Sequence, residues 1–143
     1  MRKIKRLLAL GAAALMLVSS MSVPVFADNP NTTDTKWGFT IGPGSVYHIT
    51  GAREKRDASS TYVHYETGTK PSLGVDVLNE AGKSQCKKTG TIKLGQKGLM
   101  YQFVYENGFE KCKLKLFTNN NADGGANGKW SPDSIGTYTV INK

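Results

Sequence analysis

Residues 99–118 read LMYQFVYENGFEKCKLKLFT, and this stretch decides the fold class that the sequence predicts. Asn107-Gly108 lies between two runs in which apolar and polar side chains alternate. The dipeptide is typical of a two-residue type I′ turn, which joins the strands of a β-hairpin. We therefore predict a hairpin in which the numbers of paired residues sum to 215.

This register gives the predicted hairpin a core face and a solvent face. The core face holds Leu99, Tyr101, Phe103, Tyr105, Glu110, Cys112, Leu114 and Leu116. The solvent face holds Met100, Gln102, Val104, Lys111, Lys113 and Lys115. A shift of one residue would bury the three lysines, so the alternation supports the register.

The rest of the domain also has the pattern of short strands. Segments rich in β-branched and aromatic residues recur between Gly, Asn, Pro and Ser clusters, without sustained helical periodicity. The predicted strands are 37–41, 46–50, 60–66, 74–78, 89–94, 99–106, 109–118 and 137–141. We expect an all-β fold, a small antiparallel sandwich or barrel of about seven to eight short strands with one disulfide.

Residues 1–27 have the pattern of a cleaved export signal. Four basic residues precede the twelve-residue apolar run 7–18, and Val25-Phe26-Ala27 fits a cleavage site. The run is shorter than the roughly 20 residues that span a bilayer, so we expect no transmembrane segment after cleavage. We predict a signal over 1–27, a flexible leader over 28–35 and a single domain over 36–143. The protein is then secreted and extracellular, as expected for export from a Gram-positive bacterium.

The charge of the exported part favours anionic partners. Four of the 19 Lys and Arg residues lie in the signal and all 11 acidic residues follow it, so the net charge falls from +8 to +4. A mildly basic surface suits an anionic cell-wall polymer or membrane surface. It lacks the dense basic stripe of a nucleic-acid-binding protein, and we expect no nucleic-acid partner.

Both cysteines, Cys86 and Cys112, fall in the exported part. An even count in an oxidising compartment predicts a disulfide between them. Their separation of 26 residues and the presence of only two histidines argue against a metal or redox site.

No residue pattern identifies an active site. His48 and His64 have no companion at motif spacing, and we predict no catalytic residue, no metal site and no cofactor. A secreted hydrolase stays an alternative, because carboxylates distant in sequence can meet in the fold. The stretch 119–128, NNNADGGANG, suggests either a calcium loop or a long flexible loop. Its single carboxylate, Asp123, favours the flexible loop.

Lysines and aromatic residues provide the candidate binding groups. Lys111, Lys113 and Lys115 form an outward row that is either a solvated face or a contact with an anionic surface. Trp37, Trp130 and Tyr62 either fill the core or form a platform on which sugars stack. A sandwich of this size needs large apolar side chains to fill its core, which favours the core position for these three aromatic residues.

The mature chain resembles a loose group of small secreted Gram-positive proteins of unknown function, some of which lie near bacteriocin-type export loci. The resemblance is carried by the basic signal and by the segments WGF at 37–39, KRDASS at 55–60, VYENG at 104–108 and GKWSPDS at 128–134. The chain also has a distant similarity to lactococcin-type bacteriocins, which are exported β-sandwiches. Neither resemblance assigns a function to any residue.

These observations suggest noncatalytic binding at the cell envelope. The alternatives are a bacteriocin-like antibacterial protein and a small secreted hydrolase or inhibitor.

Overall fold

The computed structural model describes residues 29–143, and this part of the chain is all β, with ten strands and no helix. The strands are β1 (Thr35–Ile41), β2 (Tyr47–Ile49), β3 (Arg53–Glu54), β4 (Thr61–Gly68), β5 (Ser72–Asn79), β6 (Gly90–Lys93), β7 (Lys97–Met100), β8 (Lys111–Phe117), β9 (Gly124–Ser131) and β10 (Thr139–Val140). The predicted all-β class is confirmed, with more strands than predicted. The predicted signal, 1–27, lies outside the described residues and stays a prediction.

The strands form two five-stranded sheets. The first has the order β1-β9-β4-β7-β10. The second has the order β2-β8-β5-β6, and β3 also pairs with β8. Pairing is antiparallel except between β10 and β7. The sheets share one core, in which Val63, Tyr65 and Trp130 of the first meet Val75 and Leu114 of the second.

Strand β9 was not predicted, because its sequence GGANGKWS lacks the β-branched residues typical of strands. It nevertheless lies inside the first sheet between β1 and β4. A Cβ at Gly128 would meet the Trp37 ring at 2.4 Å and the His64 carbonyl oxygen at 2.0 Å. Glycine is therefore needed where the Trp37 ring packs on the strand backbone. Trp37 and Trp130 are buried core residues rather than a sugar platform.

The predicted hairpin over 99–118 is wrong. Strand β7 pairs with β4 and β10 in the first sheet, whereas β8 belongs to the second sheet. Residues 101–110 cross between the sheets. Leu99 is buried as predicted, but the side chains from Met100 to Tyr105 have the opposite orientation to the one predicted. Met100, Gln102 and Val104 are buried, and Tyr101, Phe103 and Tyr105 are exposed. Over β8 the predicted alternation is confirmed, because Cys112, Leu114 and Leu116 are buried, whereas Glu110, predicted on the core face, is exposed.

The hydrogen bonds of the Asn107-Gly108 turn explain this error. Phe109 N donates to Val104 O at 3.0 Å, and Gly108 N donates to Tyr105 O at 3.0 Å. Gly108 has a φ of 80°, but no residue other than glycine has a positive φ among residues 29–143. A type I′ turn needs two positive φ values, whereas this pair of hydrogen bonds ends a single helical turn with one left-handed glycine.

Cys86 and Cys112 are not bonded, so the predicted disulfide is wrong. Cys112 lies opposite Asn79 on one side of β5. The segment that leads to Cys86 pairs with the other side of β5, where Gln85 N donates to Val77 O at 2.8 Å. Two strand spacings, roughly 9 to 10 Å, therefore separate the backbones. A disulfide spans Cα atoms at most about 7 Å apart.

Candidate functional site

The predicted lysine row lies on β8, a central strand of the second sheet, but its three members have different surroundings. Lys111 is exposed, and Lys113 and Lys115 are half-buried. Lys111 Nζ is 3.6 Å from a Glu80 carboxylate oxygen, and Lys113 Nζ donates to Glu80 O at 3.0 Å. Two of the three cations are therefore directed toward one residue at one end of the strand.

Lys115 instead lies among aromatic rings. Its Nζ is 5.3 Å from the centroid of the Tyr47 ring and 5.7 Å from that of Phe117, which are cation–π distances. Asp76 of β5 is opposite Lys115 in the register. The Asp76 carboxylate accepts hydrogen bonds from its own neighbours, Val77 N and Ser84 Oγ. Lys115 has no carboxylate within salt-bridge distance in the described part of the chain.

A groove of about 350 Å³ opens next to Phe117, and we refer to it as the β5–β8 groove. Its lining residues are Lys70, Pro71, Ser72, Leu73, Gly74, Thr91, Phe117, Thr118, Asn119 and Asn120. The Phe117 ring lies over Gly74, where an added Cβ would meet ring carbons at 2.3 Å. Because position 74 carries no side chain, the aromatic ring can lie against the sheet.

Lys70 is the charged residue of the groove and is 5% exposed. Its Nζ donates to Ala122 O at 2.7 Å and lies 3.3 Å from Asn120 Oδ1. Tyr65 Oη, inside the core, donates to Lys70 O at 2.9 Å and fixes the backbone there. No carboxylate lies within salt-bridge distance of Lys70 Nζ among residues 29–143.

The Asn-rich segment supplies these two acceptors. The predicted flexible loop over 119–128 is wrong for its second part, because β9 begins at Gly124. In the first part, Asn120 Oδ1 also accepts from Ala122 N at 3.0 Å, which closes a tight turn. Two oxygens of the candidate calcium loop therefore contact a lysine ammonium. Within residues 29–143 no group of three or more His, Cys, Asp and Glu residues could hold a metal ion.

The other candidate residues lie apart from this groove. His48 stacks on the Phe39 ring with centroids 5.6 Å apart. His64 Nδ1 is 3.6 Å from Glu66, which also lies 3.3 Å from Lys129 Nζ.

The cysteines are also outside the groove, and burial raises the pKa of each thiol, Cys86 and Cys112, to about 12. Both thiols are therefore protonated at neutral pH and are weak nucleophiles.

A family comparison covers most of the chain. Residues 23–134 match the family described as "Protein of unknown function (DUF2712)". The chain belongs to this family. The match is compatible with the expected resemblance to proteins of unknown function, and no similarity to bacteriocins is shown. No curated protein and no solved structure matches the chain.

Residues 29–143, which the structure describes, contain no helix of the length and hydrophobicity needed to cross a membrane.

The groove was missed in the sequence because its cation lies outside the Lys111–Lys115 row. Lys70 precedes Pro71 in a short connection, and one lysine in such a segment is typical of solvent-exposed turns. The only available signal was the nearby Asn-rich stretch, whose composition suggested a calcium loop or a flexible loop.

Proposed function

We propose that this DUF2712 protein is a noncatalytic binding protein of the cell envelope. In this proposal the β5–β8 groove holds a segment of an anionic polymer, and Lys70 contacts one of its phosphate or carboxylate groups. The observation that carries the proposal is the burial of the Lys70 ammonium without a carboxylate partner.

A buried charge is costly unless an opposite charge or a full set of hydrogen bonds compensates it. Lys70 Nζ has three N–H donors, and two of them meet the oxygens of Asn120 and Ala122. One donor and the whole positive charge are left for a ligand. A ligand anion in the groove would supply the missing opposite charge, which supports an anionic occupant.

The surroundings of Lys70 suit a polymer that carries hydroxyl groups. Hydroxyl and amide side chains line the groove at Ser72, Thr91, Thr118, Asn119 and Asn120. The ring of Phe117 lines the groove, and Tyr47, which is 56% exposed, lies opposite Phe117 on the neighbouring strand.

Aromatic faces of this kind stack against the apolar faces of sugar rings. Lys115, held between the two rings, would meet a second anionic group of the same polymer. No Asp, Glu, His or Cys residue lines the groove, and this composition favours binding over general acid–base catalysis.

The test is equilibrium binding of the mature protein to purified teichoic acid, with neutral dextran as the comparison polymer. Affinity for teichoic acid should fall at least about tenfold between 0.05 and 0.5 M salt, because salt screens the exposed charges of the polymer and of the basic protein surface that attract each other. Dextran should bind weakly at both salt concentrations. Absence of teichoic acid binding at low salt would refute the proposal.

Lys70→Gln and Lys36→Gln form a matched pair for this assay. Both substitutions remove one positive charge, but Lys36 is exposed on β1 outside the groove. We expect Lys70→Gln to weaken binding about tenfold and Lys36→Gln to change it less than about twofold, because an isolated exposed charge contributes little. Equal losses would mean that only net charge matters and would exclude the groove as the site.

A further inference from the structure

A second buried lysine, Lys55, lies in a different environment, at the junction of the two sheets. Lys55 follows β3 of the second sheet, and Asp133 lies just beyond β9 of the first. Both side chains are completely buried, and Lys55 Nζ directly contacts Asp133 Oδ1. Nζ also donates to Asp57 O and to Ser59 O, each at 2.7 Å. The amine and the carboxyl carbon of Asp133 are therefore held next to each other.

The second oxygen of Asp133 has its own fixed donors. Asp133 Oδ2 accepts from Asn31 N at 2.7 Å and from Arg56 N at 3.0 Å. Two backbone N–H groups directed at one oxygen form the arrangement that stabilises negative charge on a tetrahedral acyl intermediate. Lys55 Nζ therefore contacts Oδ1, whereas the two backbone N–H groups bind Oδ2 of the same carboxyl group.

A third ionisable group, Asp57, lies beside Lys55. Its Oδ1 lies 3.5 Å from Lys55 Nζ and accepts a hydrogen bond from Ser59 N at 2.8 Å. Burial raises the pKa of Asp57, but hydrogen bonds from Ser59 and the charge of Lys55 outweigh it, so the pKa is lowered overall. Asp57 is thus ionised at neutral pH, and its carboxylate lies next to the Lys55 amine from which a proton must leave.

We propose that Lys55 and Asp133 become joined by an amide bond between Nζ and Cγ, and that Asp57 carries protons during its formation. The proposal concerns a modification within the chain and does not depend on the β5–β8 groove.

The reaction is a condensation that needs no oxidant, reductant or second substrate. Nζ first gives one proton to the Asp133 carboxylate, which leaves an amine and a carboxylic acid. The lone pair of Nζ attacks Cγ, and negative charge develops on Oδ2 between the N–H groups of Asn31 and Arg56. Asp57 takes a second proton from Nζ and delivers it to Oδ1. The bond from Cγ to Oδ1 breaks, and the products are a secondary amide and one water molecule.

Burial favours this reaction in two ways. A pair of charges in a water-excluded site retains a desolvation penalty, which a neutral amide does not have. Direct contact between the reacting atoms also replaces a bimolecular encounter with an intramolecular one, which raises the effective concentration of the amine by many orders of magnitude. Lys70 provides an internal comparison, because no carboxylate lies within salt-bridge distance of it in the part of the chain that the structure describes.

The first experiment is the intact mass of the folded wild-type mature chain, followed by proteolysis and peptide sequencing. We expect the chain to be lighter than its sequence by the mass of one water molecule, with a branched peptide that joins Lys55 to Asp133. Folded protein of full sequence mass would overturn the proposal.

Two variants of the reacting residues identify the origin of any mass loss. Lys55→Arg keeps the positive charge but lacks the amine nucleophile, so it should have its full mass. Persistent loss of water in this variant would indicate cyclisation of Asp133 onto the backbone and would refute the cross-link. Asp133→Asn should lose ammonia instead of water, and its product should have the same final mass as the cross-linked wild type.

Asp57→Asn tests the proton carrier separately. The Asp57 side chain is 37% exposed, so this variant is expected to fold. Cross-link formation should be at least tenfold slower after refolding. An unchanged rate would remove Asp57 from the proposal. Lys111→Arg, which alters the exposed pair with Glu80, is the matched control and should react at the wild-type rate.

Discussion

Lys55 and Lys70 are both almost fully buried, but their ammonium groups meet different partners. Lys55 contacts the carboxylate of Asp133 and lies 3.5 Å from that of Asp57. Within residues 29–143, Lys70 Nζ meets a backbone carbonyl oxygen and an amide oxygen and no carboxylate. The Lys55 charge has an opposite charge next to it, whereas the Lys70 charge has no carboxylate within salt-bridge distance among the described residues. Burial alone therefore does not distinguish the two lysines, whereas the charge of the nearest acceptor does.

The largest effect that this comparison predicts is on stability. Lys55→Met should lower the free energy of unfolding by about 3 to 5 kcal/mol, because it leaves the Asp133 charge buried without a partner. Lys70→Met should cost less than about 1 kcal/mol, because the two freed oxygens belong to exposed residues and can bind water. Chemical denaturation of both variants measures the difference. Similar losses of stability in the two variants would show that the charge of the nearest acceptor does not distinguish the two lysines.

A smaller effect on stability is expected at Gly74, where the absence of a side chain leaves room for the Phe117 ring beside the β5–β8 groove. Gly74→Ala would place a methyl group against the Phe117 ring and should destabilise the domain by about 1 to 3 kcal/mol. It should also weaken teichoic acid binding, because the displaced ring disturbs the groove. Gly51→Ala is the control, since a Cβ there meets no atom within 4 Å. Unchanged stability and binding in Gly74→Ala would show that the ring position is unimportant.

Acid should affect the surroundings of Lys55 through Asp57. The pKa of Asp57 is lower in the folded protein than its ordinary value of about 3.9, so its contribution to stability is fully present above that value. The contribution is lost as the pH falls through the folded pKa. The stability difference between wild type and Asp57→Asn should therefore narrow below about pH 4. Denaturation midpoints measured at pH 7 and pH 3 would test this, and a constant difference would contradict it.

The smallest effects are expected in the β8 row. Lys111→Gln and Lys115→Gln should each change the free energy of unfolding by less than about 0.5 kcal/mol, as is usual at partly exposed positions. Binding to teichoic acid should separate them, because Lys111 has Glu80 nearby and Lys115 has no carboxylate partner among the described residues. We expect a measurable loss only for Lys115→Gln. Equal binding losses would mean that Lys111 and Lys115 contribute alike, as members of one uniform basic row.

Strands were predicted well where apolar and polar side chains alternate. They were predicted less well where the conformation of a turn determines which strands pair. The run from Lys111 to Phe117 was placed correctly, because every second residue is apolar. Its partner strand was wrong, because Asn107-Gly108 is compatible both with a hairpin and with a helical turn ended by glycine. Local sequence does not distinguish the two. Whether the turn forms a hairpin or ends a helical turn depends on the tertiary packing of Met100 and Val104, both of which are fully buried.

The candidate sites were predictable only in part. The outward row on β8 follows from alternation, but the separation of Lys115 from Lys111 depends on Glu80 and Tyr47, which lie on other segments. The burial of Lys55 and Lys70 has no local signal, because lysine is usually exposed. Lys55 and Asp133 are 78 residues apart in sequence, and only the packing of the two sheets brings them together.

The position of this pair has a mechanical consequence. Strands β1 to β3 precede Lys55, β10 follows Asp133, and the six other strands lie between the two residues. Once the pair is linked, tension applied at the chain ends would pass from one residue to the other and bypass those six strands. About 27 nm of chain, from 78 residues at roughly 3.5 Å each, would then be shielded from extension. Single-molecule stretching should show this length as missing in the wild type and present in Lys55→Arg.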